Sequence, residues 1–215
     1  MMLKWSKAVL LAASLGVAAQ TQAQTAVTNR NQIVNGQTFT WNNATGSGPL
    51  TFNLGGVGAT ASGNGSLFGP CVVGACWSGG FNSGQYITML NSGANQVTFT
   101  FASDISAFAT QAWFSSGFVG GNIVVDAFRG NTLTGTYNFT TGGGAINPAQ
   151  ASVMGVLDNS GFDKLVFTSS PNGGSEDFAM NDITFLSSTV PEPSTYALML
   201  VGLGTIGFAA RRRRA

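Results

Sequence analysis

Seven acidic side chains, Asp104, Asp126, Asp158, Asp163, Glu176, Asp177 and Asp182, are the groups in the body of this 215-residue chain that could move a proton or hold a cation. The chain has no histidine. That removes Ser-His-Asp and Cys-His nucleophile systems, imidazole acid–base chemistry and His-ligated zinc. An enzyme made from what is left would need two carboxylates across a cleft, as in glycoside hydrolysis. Nothing in the spacing brings two of the seven together, and several fall in turn-like stretches where Asp serves the turn. Oxygen donors from Asp, Glu and Asn suit a hard cation such as calcium, although the Asp-x-Asx loop of strong calcium sites is absent. Sugar binding would instead use aromatic faces beside polar groups, and Trp41, Trp77, Trp113, Tyr86 and Tyr137 are available. Trp113 lies in an apolar run and reads as core. Trp77, followed by Ser-Gly-Gly, reads as exposed and is the candidate ligand-binding residue.

The ends of the chain carry the clearest instructions. Lys4 and Lys7 precede an apolar stretch over residues 8–19, and Thr21-Gln22-Ala23 offers a small residue before Gln24. These are the three parts of a secretory signal, and the apolar stretch is too short to span a bilayer comfortably. Residues 1–23 are therefore read as a signal peptide handed to the secretion machinery. Export also bears on the two cysteines, Cys71 and Cys76. In an oxidising compartment a C-x4-C pair favours a small disulfide loop over two free thiols.

At the other end, Val190-Pro191-Glu192-Pro193-Ser194 precedes an apolar run over 196–210 and then Arg211, Arg212, Arg213 and Arg214. An uncharged run followed by arginines is the pattern of a membrane helix whose basic end stays cytoplasmic. It is shorter than the about 20 residues of a relaxed span, which suits a transient anchor. Gly202, Gly204 and Gly207 match G-x-G-x-x-G by spacing. The acidic residue required about 20 positions on is missing, so they read as small residues of a membrane helix.

These three parts in order resemble the PEP-CTERM sorting signal of exported proteins in Gram-negative bacteria that make extracellular polysaccharide. The resemblance implies recognition at Pro191, Glu192 and Pro193 by a membrane-embedded exosortase that removes the tail. It implies a membrane-anchored precursor in the cell envelope, then a protein at the surface or in the matrix. It does not disclose the activity of the body.

Between the ends, residues 24–189 read as one all-β domain. Val97, Phe99 and Phe101 alternate with Thr98 and Thr100, the period of a half-buried strand. Further runs follow at 105–118, 122–129, 133–141, 164–169 and 178–186, with less regular ones at 37–41, 50–54 and 86–90. Asn35-Gly36, Asn64-Gly65 and the run from Asp158 to Gly161 supply turn chemistry. The glycines at 55, 56 and 58, and those at 142–144, lack the Lys-Ser/Thr of a phosphate loop. They read as flexible connections, with 42–66 expected to be partly mobile. About nine short strands predict a β-sandwich of the jelly-roll kind, flanked by the signal helix and, in 190–215, the C-terminal transmembrane helix.

A second resemblance lies in the body. The strand at Val97, the run from Asp126 to Asn131, and the segment from Glu176 to Phe185 look like β-sandwich ectodomains attached to this sorting signal. The last segment resembles the closing strand of carbohydrate-binding jelly rolls, where an acidic residue can hold a structural calcium. By that resemblance Asp182 is the candidate metal ligand.

Charge narrows the partners. Charged residues are 8% of the chain, against about 25% in ordinary soluble domains. Only Arg30, Arg129 and Lys164 are basic between the two ends, so the body is mildly acidic and carries no basic patch for nucleic acid. The expected product is a structural or adhesive envelope protein, with polysaccharide as its partner and no catalytic residue. The other class is a carboxylate-dependent extracellular enzyme acting on glycans.

Overall fold

The computed structural model describes residues 24–43, 46–65, 67–75, 80–90, 95–114, 120–143, 150–171, 178–188 and 200–203. The signal segment, Cys76, Trp77, Glu176, Asp177, Pro191, Glu192, Pro193 and Arg211 to Arg214 lie outside the described residues. Residues 200–203 are helical, and among the described residues no helix is long and apolar enough to cross a membrane.

The described body is all-β, with thirteen strands in one hydrogen-bonded sheet network. In chain order they are β1 (Thr25–Val27), β2 (Gln37–Phe39), β3 (Gly46–Ser47), β4 (Leu50–Leu54), β5 (Val57–Gly63), β6 (Leu67–Val72) and β7 (Tyr86–Leu90). Then come β8 (Gln96–Phe114), β9 (Gly121–Arg129), β10 (Thr132–Thr141), β11 (Ser152–Pro171), β12 (Phe178–Met180) and β13 (Ile183–Ser187).

Two of these strands organise the rest. The runs expected as separate strands at 97–101 and from Ile105 onward are one strand, β8, of 19 residues. The run at 164–169 is the second half of β11, which has 20. The first half of β8 pairs with β5 on one side and the second half of β11 on the other, giving the order β4–β5–β8–β11–β9–β10. The second half of β8 pairs with the first half of β11 and with β13 and β12, and β1, β2, β7, β6 and β3 extend that layer.

The sheet folds over on itself. Phe99 and Phe108 lie on the same strand, and a straight strand would hold them roughly 30 Å apart at ~3.3 Å per residue. Their ring centroids are 4.9 Å apart. Phe101 likewise meets Phe108 at 5.9 Å and Phe162 at 6.2 Å. The register between β8 and β11 breaks between Leu157 and Phe162 and again before Lys164, which marks the corner. The Asp158–Gly161 run expected to supply a turn is this corner, inside a strand. Gly161 takes φ +83 there, a left-handed conformation that glycine adopts without a Cβ penalty.

Described residues 46–65 are mostly strand, β3 to β5, in a stretch expected to be partly mobile. β4 and β5 make a hairpin closed by Gly55 and Gly56, with φ +56 and +99. Two central residues at positive φ are what a twisted two-residue hairpin turn demands.

Between the layers lies one aromatic core. Phe99, Phe108, Phe114, Phe162, Phe167, Phe178 and Trp41 are fully buried in it. Behind the second layer, Val27 and Ile33 of the N-terminal segment pack on Ala107 and Ala109. That half of β8 is covered on both faces, so its pattern loses alternation and is continuously buried from Ile105 to Thr110.

Phe108 bridges both layers, so Phe108→Ala is expected to lower the unfolding free energy by about 3–5 kcal/mol. Phe108→Leu should cost much less. Denaturant titration of both variants checks this: equal losses would show that the ring does not fill the space between the layers.

Candidate functional site

Most of the described ionisable groups are spent on the frame. Arg129 lies 3.5 Å from Asp104 across the corner, and its Nη2 donates to the Gly161 carbonyl. Gly130 N–H donates to Asp163 at 2.8 Å. Both carboxylates thus fasten the end of β9 to the corner of β8 and β11.

Asp158, expected as a solvated turn former, is buried in β11. Its carboxylate accepts from Ser160 N–H at 2.8 Å and from Gln24 Nε2. Gln24 Oε1 in turn accepts from the Tyr137 hydroxyl at 2.7 Å. Burial, and then the charge of Asp158, push the Tyr137 phenol from 10.0 up to about 12. The residue that follows the expected signal cut is therefore tied into the body.

Asp182, the expected calcium ligand, stands half-buried just before β13. The Arg30 guanidinium donates to its backbone carbonyl at 2.6 Å. Burial pushes the Asp182 carboxyl up while Arg30 pulls it down. Burial likewise lowers Arg30, against the pull of Asp182. A cation of the chain itself sits beside Asp182. Among the described residues no three Asp, Glu, Cys or His side chains gather where they could hold a metal.

The aromatics divide between core and rim. Trp41 is fully buried, packs against Phe39 and Phe52, and donates through Nε1 to the Asn181 carbonyl at 3.0 Å. Trp113 is buried with Cys71, Phe81 and Ile87, as its apolar strand predicted. Tyr86 is exposed. Trp77 and Cys76, on which the expected binding residue and the expected disulfide loop fall, lie outside the described residues.

What the first layer turns outward is a face of hydroxyls and amides. Thr51, Thr60, Thr100, Lys164, Phe128 and Leu133 stand opposite one another across six strands. The next rank is Ser62, Thr98, Val166, Asp126 and Thr136, and the next Gln96, Thr168, Val124 and Asn138. Ser170, Asn122 and Thr140 make a fourth. Side-chain hydrogen bonds run along the ranks: Thr136 to Asp126 at 2.6 Å, Thr140 to Asn122 at 3.1 Å and Gln96 to Thr168 at 3.3 Å. Lys164 Nζ lies 4.3 Å from the Phe128 ring centroid.

Neighbouring strands are ~4.8 Å apart and successive ranks ~6.7 Å, so the face repeats in two directions. A cavity of 400 Å³ opens at the β4–β5–β8 end, lined by Thr51, Phe52, Gly58, Ala59, Thr60, Thr100, Phe101 and Ala102. Its lining has no titratable group. This arrangement can accept and donate hydrogen bonds to a neutral ligand, and offers apolar contact at Phe128, Leu133, Val124 and Val166. The sequence indicated the exposed threonines of β8, but alternation within one strand could not reveal the ranks across six.

The body is thus an all-β protein whose hydrogen-bonding face is mostly neutral, with Lys164 and Asp126 as charged members of its ranks. Its C-terminus shows where it is sent: residues 189–214 match the model of the PEP-CTERM protein-sorting motif. The chain carries this sorting signal, and with it the properties of an exported, envelope-associated protein processed by an exosortase. No curated protein matches the chain. The K2 cleaved adhesin domain of Lys-gingipain is similar over 76% of this chain and 99% of its own, at 14% identity and a TM-score of 0.32. CsCBM6-3 from Clostridium stercorarium, solved with cellobiose, is similar over 71% and 94%, at 14% identity and a TM-score of 0.26. Neither likeness is close enough to carry an argument.

The Tyr137 shift fixes an alkaline limit. The folded phenol keeps its proton to about pH 12 where the unfolded one loses it near 10.0. Stability from this group is therefore whole below pH 10 and lost as pH rises toward 12. Tyr137→Phe should flatten that part of the stability–pH curve, as read by thermal melts across the range.

Proposed function

We propose that this protein is a structural or adhesive component of the cell surface or extracellular matrix of a Gram-negative bacterium. In this reading the body is a jelly-roll β-sandwich that holds neutral polysaccharide on the outer face of its first layer. The observation that carries the reading is the set of in-register Thr, Ser, Asn and Gln ranks crossing β5, β8, β11, β9 and β10. A glycan chain offers many hydroxyls at short repeat, and a fixed two-dimensional array of donors and acceptors can meet several at once. Backbone pairing fixes the array before binding, so little side-chain freedom is lost on contact.

A disulfide between Cys71 and Cys76, with Trp77 exposed beside it, belongs to the same proposal as a second contact for sugar. Arg30 already supplies positive charge beside Asp182, so the reading does not require calcium. The sorting step supplies delivery: cleavage near Pro191, Glu192 and Pro193 frees the body from an anchor whose arginines, Arg211 to Arg214, stay cytoplasmic.

Two experiments test this. The exported protein is incubated with insoluble neutral glucan and with exopolysaccharide of its host, and the bound fraction is measured. Retention is expected, with roughly thirtyfold weaker binding for the double variant Asn122→Ala, Thr168→Ala, at about 1 kcal/mol per lost hydrogen bond. No retention on any polysaccharide sinks the binding reading, and release of reducing ends that Asp126→Asn abolishes would put an enzyme in its place. For sorting, Glu192→Ala is expected to leave the tail attached. An intact mass identical to that of the processed wild type would overturn the assigned cleavage motif.

A further inference from the structure

The edge of the first layer is unusual in its chemistry. β10 is a ten-residue strand with no Lys, Arg, Asp, Glu or Pro. It pairs with β9 on one side, and among the described residues no strand pairs with its other side. In an antiparallel strand every second residue turns its N–H and C=O away from the partner, so this edge presents a row of donors and acceptors. Proteins that must stay apart blunt such edges with charge, proline, brevity or a bulge. Here only the bulge is present, between Leu133 and Gly135. From Gly135 to Thr141 the register with β9 runs unbroken. At the start of the strand Leu133 is 52% exposed.

We propose that β10 pairs antiparallel with β10 of a second copy of this chain, joining two first layers into one continuous sheet. The occupant follows from the strand itself. A two-fold pairing sets the same edge against itself, donor to acceptor, and an uncharged strand opposes such a pair with no like-charge repulsion. Thr136, Asn138 and Thr140 would meet their counterparts as hydroxyl and amide pairs. The hydroxyl-and-amide face would then run unbroken across the dyad. Among the described residues the other edge strands are shorter: β1 and β2 have three residues each, β3 two and β4 five. This inference does not depend on the glycan reading, because pairing needs no ligand.

The test uses the exported, processed chain without polysaccharide. Sedimentation velocity over a wide concentration range should show a reversible dimer. Asn138→Lys places a charge at the centre of the edge and should weaken association by roughly tenfold. Val34→Lys adds the same charge at a loop that is 71% exposed and should leave association unchanged. Hydrogen exchange on the wild type gives a readout that needs no variant: β10 amides should slow as concentration rises, while those of β4 should not. A wild type monomeric at every concentration, equal association in Asn138→Lys, or concentration-independent exchange in β10 would each overturn the proposal.

Discussion

The structure depends on two strands that turn a corner. β8 and β11 have 19 and 20 residues, and they are paired on both sides of the bend. Because they bend together, each layer begins already joined to the other. The cost is local: broken register at the corner and a left-handed Gly161. The return is that Phe99, Phe101 and Phe167 close on Phe108, with Phe162 against Phe101, forming the core from neighbouring parts of the same two strands. Every other strand joins an edge of this pair or extends from one.

That corner also explains where the few charges are. In a sheet whose inner face is aromatic and whose outer face is mostly neutral, most of the described ionised groups sit where backbone groups lose their ladder partners. Arg129 reaches the Gly161 carbonyl and Asp104. Asp163 takes the Gly130 N–H, and Asp158 takes the Ser160 N–H. Arg30 does the same for the Asp182 carbonyl just ahead of β13. These groups satisfy backbone atoms and one another, leaving the outer face mostly to uncharged side chains, with Lys164 and Asp126 as its charged members. A histidine-free, sparsely charged composition is therefore sufficient for this fold.

Particular segments show how far the sequence could be followed. The alternation of Val97, Phe99 and Phe101 marked one half of β8 correctly, because that half has one buried face. The half from Ile105 is buried on both faces, so its alternation vanished and it looked like a separate strand. Asp158-Asn159-Ser160-Gly161 has the composition of a turn, and the chain does change direction there. Composition alone does not distinguish a reversal into a hairpin from a corner within a strand. The glycines at 55 and 56 looked like looseness and form a tight turn. Tryptophans could not be sorted by type: Trp41 spends its N–H on the Asn181 carbonyl, a partner 140 residues away in the chain.

The sequence by itself determined what is local. The sorting signal at 189–214 is linear, carried by order and hydropathy, and so legible without a fold. The absence of histidine excluded whole classes of chemistry, and the period-two patterns established an all-β body. The tertiary structure alone decided everything that depends on register. Which threonine stands beside which asparagine, which carboxylate meets which arginine, and which edge is left open are set by strands far apart in sequence. Their pairing is selected by the common burial of one aromatic core, and no window of the chain contains that information.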